Sequence, residues 1–264
     1  MKRLFCALLL IVVFTGITSA QGVRRKPQAY EYGQVIINNS SSSAGLAPVT
    51  FDHWIHRSKF TCRLCHVDIG FAMKAGVTGI RASDNMKGLY CGTCHNGKYE
   101  HQGKKVFEAC SRDFSRDDGK RCEKCHYKGR NPRKEQDFLK FAERMPKERF
   151  GNGINWEKAE DLGYIKPIDY IEGISVKRKP LPVQKDFAIG SAVEGLPDTI
   201  FSHKKHTVWN GCEVCHPDIF VGVKRGSNKY TMQDVFEGKY CGVCHVSVAF
   251  PLTDCQRCHI KPVQ

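Results

Sequence analysis

Twelve of the fourteen cysteines in this chain fall into six pairs of one form, Cys-x-x-Cys followed at once by histidine. They are Cys62 and Cys65 with His66, Cys91 and Cys94 with His95, and Cys122 and Cys125 with His126, then Cys212 and Cys215 with His216, Cys241 and Cys244 with His245, and Cys255 and Cys258 with His259. Two thiols at this spacing can each form a thioether to the two vinyl groups on one edge of a haem. The imidazole directly behind them then reaches the iron from one face. Zinc ribbons need two such pairs per ion and give no reason for a histidine after each. Thioredoxin-like pairs sit one per βαβ unit, a pattern the chain does not show. The spacing therefore implies six covalently attached haem c groups, with the six trailing histidines as proximal iron ligands.

A haem iron takes a second axial ligand, and the choice of that ligand separates electron transfer from chemistry at an open iron. Five histidines remain: His53, His56, His101, His203 and His206. Four of them form two His-x-x-His pairs, "HWIH" and "HKKH", each nine residues upstream of a cysteine pair when counted from its first histidine (62 − 53 = 212 − 203 = 9). Imidazoles three apart lie along one turn of chain and can reach two adjacent haems. The whole stretch "FDHWIHRSKFTCRLCH" returns as "FSHKKHTVWNGCEVCH" at an offset of 201 − 51 = 150, which marks a duplicated unit.

The order Phe-x-His-x-x-His, a first Cys-x-x-Cys-His, then "GLYCGTCHNGK" or "GKYCGVCH", then a third site resembles the triheme cytochrome c7 module, a shortened relative of cytochrome c3. The likeness covers about Phe51 to His126 and Ile200 to His259. It implies that His53 pairs with His66, His56 with His95, His203 with His216 and His206 with His245. In the simplest members the third haem takes a histidine four residues before the second site, but Lys87 and Glu237 stand there. Longer tandem relatives use methionine, which brings in Met86 and Met232, although the two do not align relative to the following cysteine. His101 competes in the first repeat, inside an insertion: sites two and three start 122 − 91 = 31 residues apart there, against 255 − 241 = 14 in the second. Met86 ranks ahead of His101 for the haem at His126, and Met232 is the local candidate for that at His259. Methionine ligation would raise those two potentials.

The elements that must carry these sites are short. The chain opens with Lys2 and Arg3, an apolar run from Leu4 to Phe14 and small residues at Thr18 and Ala20, the pattern of a cleaved secretory signal over 1–20. The run is shorter than the ~20 apolar residues of a membrane span, so no integral span is expected after cleavage. Residues 21–50, with "NNSSSSAG", read as a flexible N-terminal segment. A first module is expected over 51–135, a linker with short helices over 136–198 and a second module over 199–264. In the linker, Phe138, Leu139, Phe141, Ala142 and Met145 share one face at helical spacing up to Pro146, and "NWEKAEDLG" carries Asn155 and Gly163 as start and stop signals. The expected fold is mostly irregular with short α-helices: two haem-packed c7/c3-like modules joined by a partly helical linker. Cys110 stands outside every pair and is expected to be an inert thiol.

The net charge of +14 includes the two signal-peptide cations, and six ferric haems with ionised propionates bring the oxidised holoprotein to roughly +6. Nucleic-acid binding has little support on that balance. The sequence points to an exported electron carrier, periplasmic first and cell-surface or extracellular second, whose partners are other redox proteins such as cytochromes. A multihaem reductase of a small oxyanion would need an open iron, often marked by Cys-x-x-Cys-Lys, which is missing. A subunit of a polymeric haem wire would need ligands from neighbouring copies.

Overall fold

The structure is a computed structural model that describes residues 25, 27–111, 119–179, 185–191, 193–222 and 226–261. The expected signal peptide lies outside them. Regular structure is sparse because cysteine pairs, glycines and prolines interrupt every period before it can propagate. Strand β1 (Gln34–Ile37) pairs antiparallel with β2 (Val49–Asp52), which runs directly into the one-turn helix α1 (His53–Arg57). Helix α2 (Ala82–Met86) and a two-residue hairpin, β3 (Glu100–His101) with β4 (Lys104–Lys105), follow. After α3 (Pro132–Glu143) and α4 (Trp156–Asp161), the pattern returns: β5 (Phe187–Ile189) pairs with β6 (Asp198–Phe201), which feeds α5 (His203–Asn210). Helices α6 (Met232–Phe236) and α7 (Gly242–His245) and strand β7 (His259–Lys261) complete the described chain.

The two halves share more than their motifs. Val35 faces Phe51 across the first ladder, and Phe187 faces Phe201 across the second. On the other side of each inner strand lies the third cysteine site: Thr50 N–H donates to Cys125 O at 2.8 Å, and Ile200 N–H to Cys258 O at 3.3 Å. Each unit thus begins with a strand lying before the Phe-x-His-x-x-His motif, inside stretches that read as a flexible segment (21–50) and as linker (136–198). Strands of three or four residues carry too little alternation to be seen in sequence.

The conventional core sits mainly against the segment between the modules. Tyr30, Trp54, Phe138, Met145, Ile154, Ala159 and Ile165 form one buried cluster, with Trp54 edge-on to Phe138 at 5.2 Å. Helix α3 starts at Pro132 because Asn131 Oδ1 accepts from Lys134 N–H, and proline at the first helical position needs no partner for its missing N–H. Helix α4 is capped by Asn155, and Gly163 follows it at a φ of 73°. One expectation fails: Leu139 is 58% exposed, whereas Phe138 and Met145 are buried and Phe141 and Ala142 partly so. The steps i, i+3, i+4 and i+7 from Phe138 make one stripe, and Leu139 lies about 100° off it. A second cluster joins Phe60, Leu64 and Ile171, where Thr61 N–H and Ile168 O bond at 3.1 Å.

Truncating Phe138 to alanine should cost about 3–5 kcal/mol of stability, while Leu139→Ala should cost about 0.5 kcal/mol or less. Chemical denaturation of the holoprotein followed by far-ultraviolet circular dichroism checks the contrast. Equal losses would put Leu139 back in the core.

Candidate haem sites

Ten of the eleven histidines use Nδ1 in the same way, against a main-chain carbonyl. His53 donates to Gly33 O (2.7 Å), His56 to Asp52 O (3.1 Å), His203 to Lys185 O (3.1 Å) and His206 to Ser202 O (2.7 Å). Behind the cysteine pairs, His66 donates to Phe71 O, His95 to Phe107 O, His126 to Ala47 O, His216 to Phe220 O, His245 to Phe250 O and His259 to Pro197 O, at 2.6–3.2 Å. A carbonyl oxygen only accepts, so each Nδ1 carries the proton and each Nε2 keeps its lone pair. That tautomer is the one a metal-binding imidazole needs, with the second nitrogen fixed from behind. Burial lowers His53 to about 4, His56 to about 3 and His245 to about 4, which keeps these three rings neutral.

The rings meet in pairs. The centroids of His56 and His95 lie 6.2 Å apart at 55°, and those of His206 and His245 lie 6.3 Å apart at 56°. A metal–imidazole bond of about 2.0–2.1 Å, plus roughly 1.2 Å from nitrogen to ring centre, puts two trans imidazoles roughly 6.4 Å apart. The structure also brings His66 close enough to His53 for its charge to lower the His53 pKa further. The cysteines are free thiols, and burial pushes Cys65, Cys91 and Cys244 up to about 12. Such thiols stay protonated and are poor thiolate ligands or redox nucleophiles. Free paired thiols beside imidazoles with an available Nε2 fit a covalently held haem, and among the described residues no cluster of three or more His, Cys, Asp or Glu side chains could hold a bare metal ion.

Aromatic residues position the rings. Phe51 stacks on His56 (4.3 Å, 28°) and meets His53 edge-on (4.8 Å, 89°); Phe201 repeats this with His206 (4.4 Å, 25°) and His203 (4.9 Å, 88°). Phe107 and Phe250 pack against His95 and His245 at 4.5 and 4.3 Å while their own carbonyls accept the Nδ1 protons. Sequence reasoning missed these partners. Phe107 follows His95 by twelve residues and Phe250 follows His245 by five, so the insertion in the first unit hides their equivalence.

The remaining candidates are placed differently. Met86 ends α2 and Met232 begins α6, 37% and 41% exposed. They are not counterparts, because the residues whose carbonyls press on the second site are Asn85 and Val235. A Cβ at Gly92 would lie 1.9 Å from Asn85 O, and one at Gly242 would lie 1.9 Å from Val235 O. His101 sits in the β3–β4 hairpin 5.1 Å from the Phe60 ring, its Nε2 buried without a partner among the described residues. Asn85 Nδ2 reaches the Cys110 sulfur at 3.8 Å.

The glycine inside each second cysteine pair is therefore a steric requirement. Gly92→Ala and Gly242→Ala should each depress haem per polypeptide, measured as pyridine haemochrome against protein mass. Gly190→Ala, whose added Cβ has Asp198 Oδ1 at 3.9 Å, should retain it.

Comparison with known proteins places this geometry. Two solved structures are similar at low identity. The C-terminal hexaheme fragment of GSU1996 is 24% identical over 86% of this chain and 96% of that chain, with a TM-score of 0.26. The N-terminal hexaheme fragment is 22% identical over 86% and 98%, with a TM-score of 0.25. Superposition at this level carries no argument about arrangement. No curated protein matches the chain. The model of the family described as cytochrome c7 and related cytochrome c matches residues 49–127 and again 199–260. Two matched regions that together span more than half of the sequence show that the chain belongs to the cytochrome c7 family, with covalently attached c-type haems on a multihaem electron-carrier fold.

Proposed function

We propose that the protein is an exported hexahaem cytochrome that passes single electrons between redox proteins of the periplasm or the cell exterior. The observation that carries this reading is the pair of imidazole brackets, His56 with His95 and His206 with His245, whose ring centres lie 6.2 and 6.3 Å apart, so that both rings of each pair would be able to hold one haem iron. An iron held by two such imidazoles would have no position open for substrate, and would supply electron transfer rather than substrate chemistry. Among the described residues no helix is long and apolar enough to cross a membrane.

The six Cys-x-x-Cys-His sites hold the haems, with the six trailing histidines on the proximal side. His53 serves the site of His66, His56 that of His95, His203 that of His216 and His206 that of His245. The haem supplies the one-electron iron couple; the chain supplies ligation, spacing and a water-poor surround. The carbonyl behind each imidazole holds its ring in place through both oxidation states, so little has to reorganise when the charge changes. For the third site of the first module, Met86 is preferred. Its neighbour Asn85 touches Cys110, which lies near both Cys91 and Cys125, whereas His101 is turned to Phe60. Met232 takes the corresponding role in the second module. The modules occupy about 51–135 and 199–264, with the signal peptide removed.

Intact-mass analysis should show six added haems and the loss of residues 1–20; fewer haems overturn the central count. The oxidised protein should show a methionine-to-iron charge-transfer band in the near infrared, weakened by Met86→Ala and by Met232→Ala; a spectrum without the band removes both methionines. Reduced protein should bind less than one equivalent of carbon monoxide, and His206→Ala should bind one more than wild type. A full equivalent on wild type would mean an open iron and overturn the carrier assignment.

A further inference from the structure

The two modules meet through the wall behind one imidazole of each. Gly33 O accepts the Nδ1 proton of His53, and the preceding residue, Tyr32, donates its hydroxyl to Ala249 O at 2.5 Å. The next carbonyl along, Phe250 O, accepts the Nδ1 proton of His245. Two adjacent dipeptides, Tyr32-Gly33 and Ala249-Phe250, therefore connect His53 of the first module to His245 of the second. Gly33 adopts a φ of 80°, and a Cβ on it would stand 3.6 Å from both His53 Cβ and Ser247 O, so the backbones are in close contact there.

Arg57 closes the same contact. It follows His56 in α1, its Nη1 donates to Val248 O at 2.9 Å, and its guanidinium lies 4.3 Å from the Trp156 ring centre and 5.2 Å from that of Trp209. First module, linker and second module thus converge on one cation. The sulfurs of Cys62 and Cys244, one from each module, both lie within electrostatic reach of this guanidinium.

We propose that electrons cross between the modules at this contact, between the site of Cys62, Cys65, His66 and His53 and the site of Cys241, Cys244, His245 and His206. Arg57 is the positioning residue that holds the two together and favours their reduced states. The crossing is out of chain order, since chain order would join the site of His126 to that of His216. It rests on the ligation proposed above. One electron leaves a ferrous iron at one site and arrives on a ferric iron at the other; no proton, bond or other group moves. A positive charge shared by two sites in a water-poor wall stabilises the less positive iron at both and acts weakly on remote ones.

The test uses the full-length holoprotein with Arg57→Leu and Arg57→Lys. Haem-methyl resonances, assigned to each site through contacts with its own cysteines and histidine, are followed through stepwise reduction to give six midpoints and the exchange between sites. In Arg57→Leu the midpoints of the His66 and His245 sites should move to more negative potential by more than any others. In Arg57→Lys, which keeps the charge but loses the stacked fork, the midpoints should stay near wild type while exchange between these two sites slows. An equal shift at all six sites, no shift, or a shift centred on the His126 and His216 sites overturns the crossing. If Arg57→Leu does not accumulate, Tyr32→Phe removes only the hydroxyl bond to Ala249, and unchanged exchange between the two sites in that variant overturns the proposal. Intact mass separates two kinds of failure. Haem missing from either site in wild type overturns the ligation and the crossing with it, whereas six haems without the expected effects overturn the crossing alone.

Discussion

In this chain ten imidazoles place the Nδ1 proton on main-chain carbonyls, which leaves each Nε2 with a lone pair open to a metal. Some of these carbonyls cap a helix, as Ser202 O does for α5, while Gly33, Ala47, Phe71, Phe107, Pro197 and Phe250 lie outside the regular elements. Routing acceptors to rings adds to the interruptions by cysteine pairs, glycines and prolines, and burial keeps rings such as His53, His56 and His245 neutral.

The aromatic residues and glycines follow from this constraint. Phe51 and Phe201 each touch two imidazoles three residues apart, one stacked and one edge-on, and so hold the angle between them. Gly92 and Gly242 allow the second cysteine pair to lie against the carbonyls of Asn85 and Val235. The residues before those pairs, Tyr90 and Tyr240, share a φ near 50°, a left-handed conformation that each unit repeats. Such strain in two equivalent places marks a turn that the site itself imposes.

Between the modules, charge joins apolar packing. Arg63 and Asp68 are buried at the first cysteine pair; Arg63 pairs with Asp169 of the linker, and Arg178 bridges Asp68 to Glu213, inside the first cysteine pair of the second module. Buried ion pairs contribute less to stability than to specificity of arrangement when most of their partners are satisfied. Here they link the first module, the linker and the second module, alongside the cluster around Trp54 and Phe138.

The sequence by itself determined the chemistry. Cys-x-x-Cys-His admits few readings because thioether attachment and proximal ligation are local, set by residues within five positions of one another. The His-x-x-His turns were legible for the same reason, as were the caps at Asn155 and Gly163. Only the tertiary structure decided the rest: that Phe107 and Phe250 are equivalent despite different spacing, that Gly33 lies behind His53, that Leu139 leaves the core, and that Arg57 sits between Trp156 and Trp209. These are contacts between residues far apart in the chain, fixed by packing and by the direction of single carbonyls. A one-dimensional period carries no record of such directions.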